Sequence, residues 1–127
     1  VHRLPVTYRT EALADLRDIF RVVLRASRHL KTSKGFVQRI KDRCERIGDA
    51  PRGGRPRDDL EPGLRTVPFE RVAVIAYRVE PGRVRITNVF YGGRDFEALF
   101  GGHEPGETQE GLARDAPVPV RFKLPLP

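Results

Sequence analysis

The stretch from residue 71 to residue 91 constrains the fold more than any other. RVAVIAYRV (71–79) and RVRITNVFY (83–91) are rich in Val, Ile, Tyr and Phe, and only Glu80, Pro81 and Gly82 separate them. β-Branched and aromatic residues suit a pleated surface, and a short Pro-Gly link between two such runs marks a hairpin. The pattern predicts an antiparallel pair with 71–79 as the central strand. LRTVPF (64–69) adds a strand in which Pro68 limits the ladder bonds, and RLPVTY (3–8) a short first one with Pro5 near its start or on an edge.

Two helices lie between the first strand and the others. Leu13, Leu16, Phe20, Val23 and Leu24 recur at helical spacing over 11–29, with Ala12 and Ile19 beside them. Asp15, Arg17, Asp18, Arg21, Arg25 and Arg28 take the opposite face. Thr10 is the expected hydroxyl N-cap, and Glu11 suits the first turn. The second helix is expected over 33–48, capped by Ser33 or Thr32, with Phe36, Val37, Ile40, Cys44 and Ile47 as its apolar stripe. Gly48 is its natural stop. The order β-α-α-β-β-β makes an α+β fold, a two-helix hairpin packed on a small, mainly antiparallel sheet. The expected core is Leu16, Phe20, Val23, Ile40, Cys44, Ile47, Val74 or Ile75, Tyr77 and Ile86.

A turn-rich connection, PRGGRPRDDLEPG (51–63), joins helices to sheet. GRDFEALF (93–100) reads as a short terminal helix that closes one domain over 1–100, as the length of 127 residues suggests. The tail at 101–127 opens on a Gly/Pro-rich loop. Val118, Val120, Phe122, Leu124 and Leu126 then alternate with Pro119, Arg121, Lys123 and Pro125. That pattern suits an edge strand or a polyproline-like arm, placed in cis on the sheet edge or on a neighbouring chain. The chain has no Met, so Val1 is not expected to be the translated start.

Residues that would carry chemistry are sparse. His2, His29 and His103 lack metal-ligand spacing. Gly53-Gly54 runs into Arg55 and Pro56 rather than the Lys-Ser/Thr of a phosphate loop. Neither Ser27 nor Ser33 sits in a nucleophile elbow. The single cysteine, Cys44, allows no intrachain disulfide or paired-cysteine metal site; it lies on an apolar stripe and reads as a small core residue. No cofactor and no metal are expected, and no apolar run approaches the roughly 20 residues of a membrane span. Asp58-Asp59 reads as a solvated turn or cap.

Charge is the stronger signal. The net charge is +7, mostly from Arg, which suits a polyanion or an acidic protein partner. Arg52, Arg55, Arg57 and Arg65 flank the long connection, Arg71 and Arg78 bracket the central strand, and Arg94 follows Gly92-Gly93. Arginines at strand ends can line one sheet edge. Arg55, Arg57, Arg65, Arg78 and Arg94 are therefore the candidate binding residues.

GGRPRDDLEPGLRTVPFERVAVIAYRV resembles the central signature of ParE-type toxins in the ParE/RelE family of type II toxin–antitoxin systems. The matching residues are Gly54, Arg55, Pro56, Gly63, Leu64, Arg65, Tyr77, Arg78 and Val79. VFYGGRD is similar to the family's terminal strand, and ALADLRDIF to its first helix; the resemblance covers about residues 3–100. It implies a cytoplasmic bacterial toxin of the plasmid-stabilisation type, bound by an antitoxin with an acidic, apolar arm and a ribbon-helix-helix or similar DNA-binding part. Operator DNA would then be contacted only through the antitoxin, and no membrane is involved. ParE members poison DNA gyrase, so inhibition of gyrase or another topoisomerase by binding is the leading expectation. The alternatives are a RelE-like, ribosome-dependent mRNA endoribonuclease and a non-toxic module of a repressor complex. As a ribonuclease the chain would have to rely on Arg94 and Tyr91. Val74 and Phe100 stand where that branch has an Arg and a catalytic Tyr, and acid–base chemistry needs a titratable group there. The leading expectation is therefore not an enzyme.

Overall fold

The computed structural model describes residues 3–92. A short strand β1 (Val6–Tyr8) leads into helices α1 (Thr10–Ser27) and α2 (Leu30–Ile47). A 3-10 turn at Pro51–Gly53 and a two-residue strand β2 (Arg55–Pro56) follow. Strands β3 (Leu64–Phe69), β4 (Ala73–Glu80) and β5 (Arg83–Tyr91) complete the sheet, in the order β1-β5-β4-β3-β2. The fold is α+β, as expected, with both helices on one sheet face. The expected helix at 93–100, the tail at 101–127 and Arg94 lie outside the described residues.

The central hairpin forms because both runs alternate. Val67, Ile75 and Val89 are register partners that face the helices, as are Phe69, Ala73 and Tyr91. Glu80 pairs with Arg83, so Pro81 and Gly82 alone make the turn. Proline first and glycine second, with Gly82 at φ 78°, is the type II arrangement. The register slips between Ala76 and Tyr77, and Thr87 is the extra residue of the bulge. Its hydroxyl donates to the Ala76 carbonyl at 3.2 Å.

Several details differ from expectation. β1 is half the expected length and pairs parallel with β5, so the sheet is mixed. β2 adds a strand inside the expected connection, because a two-residue pairing leaves no periodic trace. Neither helix has a hydroxyl cap: Arg9 and His29 hold the N-cap positions without side-chain bonds. Thr10 is already helical, and α2 starts three residues before Ser33. Ser33 is buried and donates to the Phe20 carbonyl at 2.7 Å, so it ties the two helices together. Helix α2 does end before Gly48, but Gly48 has an ordinary φ of −63°. The glycine is needed because a Cβ there would collide with the Leu4 carbonyl, and Leu4 N–H donates to Gly48 O at 3.0 Å.

The core contains Leu16, Val23, Ile40, Cys44, Ile47, Ile75, Tyr77 and Ile86, with Ala12, Ile19 and Phe36. Phe20 is only half-buried and Leu13 is 50% exposed. Val74 lies on the other sheet face with Leu64, Ala76, Phe90 and Leu60. Asp15, expected on the polar face of α1, is 4% exposed. Because β1 ends at Tyr8, the edge of β5 beyond Ile86 has no strand beside it. Asp15 fills that gap: its Oδ2 accepts the Val89 N–H at 2.9 Å and Asn88 Nδ2 at 3.4 Å. A buried amide without an acceptor costs free energy, so this carboxylate completes the ladder.

Two measurements follow. Asp15→Leu should destabilise the fold by about 2 kcal/mol, because it strands the Val89 amide; Asp15→Asn, which keeps an acceptor, should cost less. Urea unfolding compares them. Burial also pushes the Cys44 thiol up to about 12 and raises the neighbouring Tyr8 phenol. In the unfolded chain these groups ionise at about 8.5 and 10, so the native state holds protons that the unfolded state releases. Stability should be full below about pH 8 and fall as pH rises toward about 12. Urea midpoints across that range, with Cys44→Ala and Tyr8→Phe flattening the slope, check the sign.

Candidate functional site

The connection from helices to sheet is anchored at one end of β4. Tyr77 faces the helices and is the register partner of Arg65. Its hydroxyl donates to the Pro51 carbonyl at 2.7 Å and accepts the Gly54 N–H at 2.9 Å. A Cβ at Gly54 would overlap the Tyr77 ring, so glycine is required for this close approach. Arg65 works beside it: Nη1 donates to the Arg52 carbonyl at 3.0 Å and the Gly54 carbonyl at 2.8 Å. Burial raises the Tyr77 phenol, with the Gly54 amide and Arg65 opposing.

The same connection then wraps round the sheet end to the other face. Arg57 is 7% exposed and grips Asp59 through Nε (2.9 Å) and Nη2 (2.7 Å). That fork holds the Asp59 carboxyl below its ordinary range. Arg78 Nη2 pairs with Glu61 at 2.7 Å, and Nη1 donates to the Pro62 carbonyl. Asp58 accepts the Gly63 N–H at 2.8 Å, which turns the backbone where Gly63 has φ 80°. Leu60 is laid against Leu64 and Phe90.

The structure thus brings Arg57, Arg65 and Arg78 to one sheet end but divides them between its faces. All three hold the chain's own connection. Arg55 stands exposed on β2. Tyr91 is at the opposite end: its register partner Ala73 is five residues from Arg78 along β4, roughly 17 Å at about 3.4 Å per residue. Tyr91 is buried, packs edge-on against Phe36 at 5.7 Å, and has its phenol raised by that burial. Among the described residues no three His, Cys, Asp or Glu converge as metal ligands.

The more open feature lies near Tyr91. A groove of about 490 Å³ runs between the hairpin tip and the sheet, lined by Val23, Ala26, Gly35, Phe36, Val72 and Tyr91, with Lys31 and Arg39 at its edge. Arg39 forks onto Glu70 at 2.8 and 3.0 Å and lies 5.4 Å from the Phe36 ring centre. Its guanidinium holds the Glu70 carboxyl below the ordinary range. Glu70 and Arg71 both have positive φ (45° and 59°) in the β3–β4 turn, a conformation glycine and asparagine usually supply. The fork therefore ties a strained turn to α2. Gly35 is the unusual member. A glycine inside a helix costs about 1 kcal/mol against alanine. A Cβ at Gly35 would meet nothing within 4 Å. Packing among the described residues does not require this glycine. Its place inside KTSKGFVQ, in the middle of a helical stretch, is the signal the sequence carries.

Comparisons with known proteins give one family and one fold. A family model described as the ParE toxin of type II toxin–antitoxin systems, parDE, matches residues 6–96. A solved chain from the chromosomal ParDE system of P. aeruginosa superposes with a TM-score of 0.62. It is 22% identical, and the match covers 72% of this chain and 98% of that one; at this identity the likeness is one of fold. No curated protein gives a match.

The anchoring role of Tyr77 is directly testable. Tyr77→Phe leaves the Gly54 amide without its acceptor and should cost about 1–3 kcal/mol in urea unfolding. Tyr91→Phe, whose hydroxyl has no hydrogen bond among the described residues, should stay within about 0.5 kcal/mol of the parent.

Proposed function

The chain belongs to the ParE toxin family of type II toxin–antitoxin systems, and from that premise we propose that it acts by binding, inhibiting DNA gyrase or a related topoisomerase until a cognate antitoxin neutralises it. The antitoxin's arm enters the groove between the hairpin tip and the sheet. Gly35 carries this reading. It lines the groove, weakens α2, and leaves open space that no residue of the described chain needs. An apolar side chain from a partner would use that space. Lys31 suits a carboxylate flanking the apolar anchors, and opposite charge speeds encounter with a chain of net +7. An arm that orders on binding recovers its lost entropy by burying such anchors. We place the complex in the cytoplasm and expect a ribbon-helix-helix type antitoxin.

Binding is favoured over RNA cleavage by the setting of Tyr91. General acid–base catalysis needs a titratable group within hydrogen-bond reach of the reacting oxygen. Tyr91 is buried against Phe36, and burial raises its phenol, while Arg57, Arg65 and Arg78 hold the chain's own loop.

Expression in bacteria without the antitoxin should give filamentation and a DNA-damage response, both suppressed by co-expressing the product of the adjacent reading frame. Rapid translation arrest with codon-dependent mRNA cuts would overturn the reading. For the groove, Gly35→Ala should raise stability by about 1 kcal/mol. Gly35→Phe should keep the fold but lower antitoxin affinity at least about tenfold, the loss of roughly 1.4 kcal/mol. Unchanged affinity in Gly35→Phe would remove the groove from the interface.

A further inference from the structure

The basic excess of this chain is sorted by location. Arg3, Arg9, Arg57, Arg78, Arg83 and Arg85 each lie within ion-pair distance of an Asp or Glu. The helical hairpin is different. Between Asp18 and Asp42 there is no Asp or Glu, while seven Lys or Arg occur, of which Arg39 pairs with Glu70 of the β3–β4 turn. Arg17, Arg21, Arg25 and Arg28 are all exposed; the spacing of four residues puts Arg17, Arg21 and Arg25 on one face of α1, and Arg28 follows as its left-handed C-cap. At about 1.5 Å per residue the helical part of the row is roughly 12 Å long. Lys31 and Lys34 continue the exposed charge across the turn onto α2. Among the described residues the row has one weak ion pair, Arg21 with Asp18 at 3.7 Å.

Among the described residues, packing gives no reason for this row. Like charges three and four residues apart destabilise a helix. No carboxylate of the hairpin tip offsets them. A row of cations at even intervals fits a linear polyanion whose charges are also evenly spaced. We infer that this arginine row on α1, with the α2 lysines beside it, binds the phosphate backbone of double-stranded DNA. Each DNA strand carries about one charge per 3.4 Å of helix axis, so a helical row of roughly 12 Å meets about three or four phosphates. Guanidinium groups take phosphate oxygens in bidentate fashion. Lys31 and Lys34 at the start of α2 add charge beside the row, and the B-form major groove, about 12 Å wide, carries phosphates on both walls. An A-form RNA duplex has a deep, narrow major groove and fits less well. The inference goes beyond the toxin reading and does not rest on it, and it departs from the expectation that DNA is reached only through the antitoxin.

The test uses the full chain alone with a labelled 20-bp mixed-sequence DNA duplex, read by fluorescence anisotropy between about 50 and 200 mM salt, where the slope of log K against log salt counts phosphate contacts. Replacing Arg17, Arg21, Arg25 and Arg28 together with Gln should reduce that slope by about 3–4 and weaken binding at least about tenfold at low salt. Replacing the same four with Lys should keep the slope, and circular dichroism should show both variants as helical as the parent. Arg83→Gln with Arg85→Gln, whose charges already face Glu80, should leave the slope unchanged. A parental slope in the four-Gln variant would overturn the inference. Tighter binding to an RNA duplex of the same sequence, or to a polyglutamate peptide, would overturn it too.

Discussion

One phenol on the central strand determines how the chain passes from helices to sheet. Tyr77 reaches past the core to place its hydroxyl between the Pro51 carbonyl and the Gly54 amide. That contact fixes where the connection leaves the helical layer, and Arg65 secures the next carbonyls. From there β2 pairs with Arg65 and Thr66, and the segment at 57–63 folds over the second face of the sheet. Without this anchor β2 would lose its starting point, and Leu64 and Ala76 would lose the cover of Leu60. Among the described residues the sheet is thus sealed at one end by its own connection and uncovered at the other, beside Tyr91.

That asymmetry shapes function. At the sealed end, Arg57, Arg65 and Arg78 have partners within the chain, and their charge is compensated by Asp59, Glu61 or backbone carbonyls. At the open end a groove carries a glycine that folding does not need. The solvent face of the hairpin carries cations that folding would be better without. Two surfaces are therefore available to partners, one apolar with a basic edge and one purely electrostatic.

The strands from 64 to 91 were legible because two-residue alternation over six to nine residues has few other meanings, and the helices because their apolar stripes repeat over 18 residues each. What escaped the sequence depends on contacts between distant segments. A serine near a helix start can cap its own helix or bond a neighbouring one, and Ser33 does the latter. An aspartate in an arginine-rich helix reads as solvated, yet Asp15 is buried because β1 stops three residues into its pairing. Gly48 and Gly54 look like turn glycines, but each is required by a group far along the chain, the Leu4 carbonyl and the Tyr77 ring. The arginines looked like one partner-facing edge because sequence places them at strand ends. Register divides Arg65 and Arg78 between opposite faces, and side-chain contacts reveal which cations are already engaged.

The division between engaged and available arginines is most directly tested by side-chain NMR of the full chain with nitrogen-labelled arginine. The guanidinium of Arg57 should show a dispersed, slowly exchanging Nε–H signal, and those of Arg65 and Arg78 should show restrained rotation. Signals of Arg17, Arg21, Arg25 and Arg28 should be averaged and fast-exchanging, and should shift when duplex DNA is added. Uniformly averaged signals from all seven, or restrained hairpin arginines in the free chain, would contradict the division.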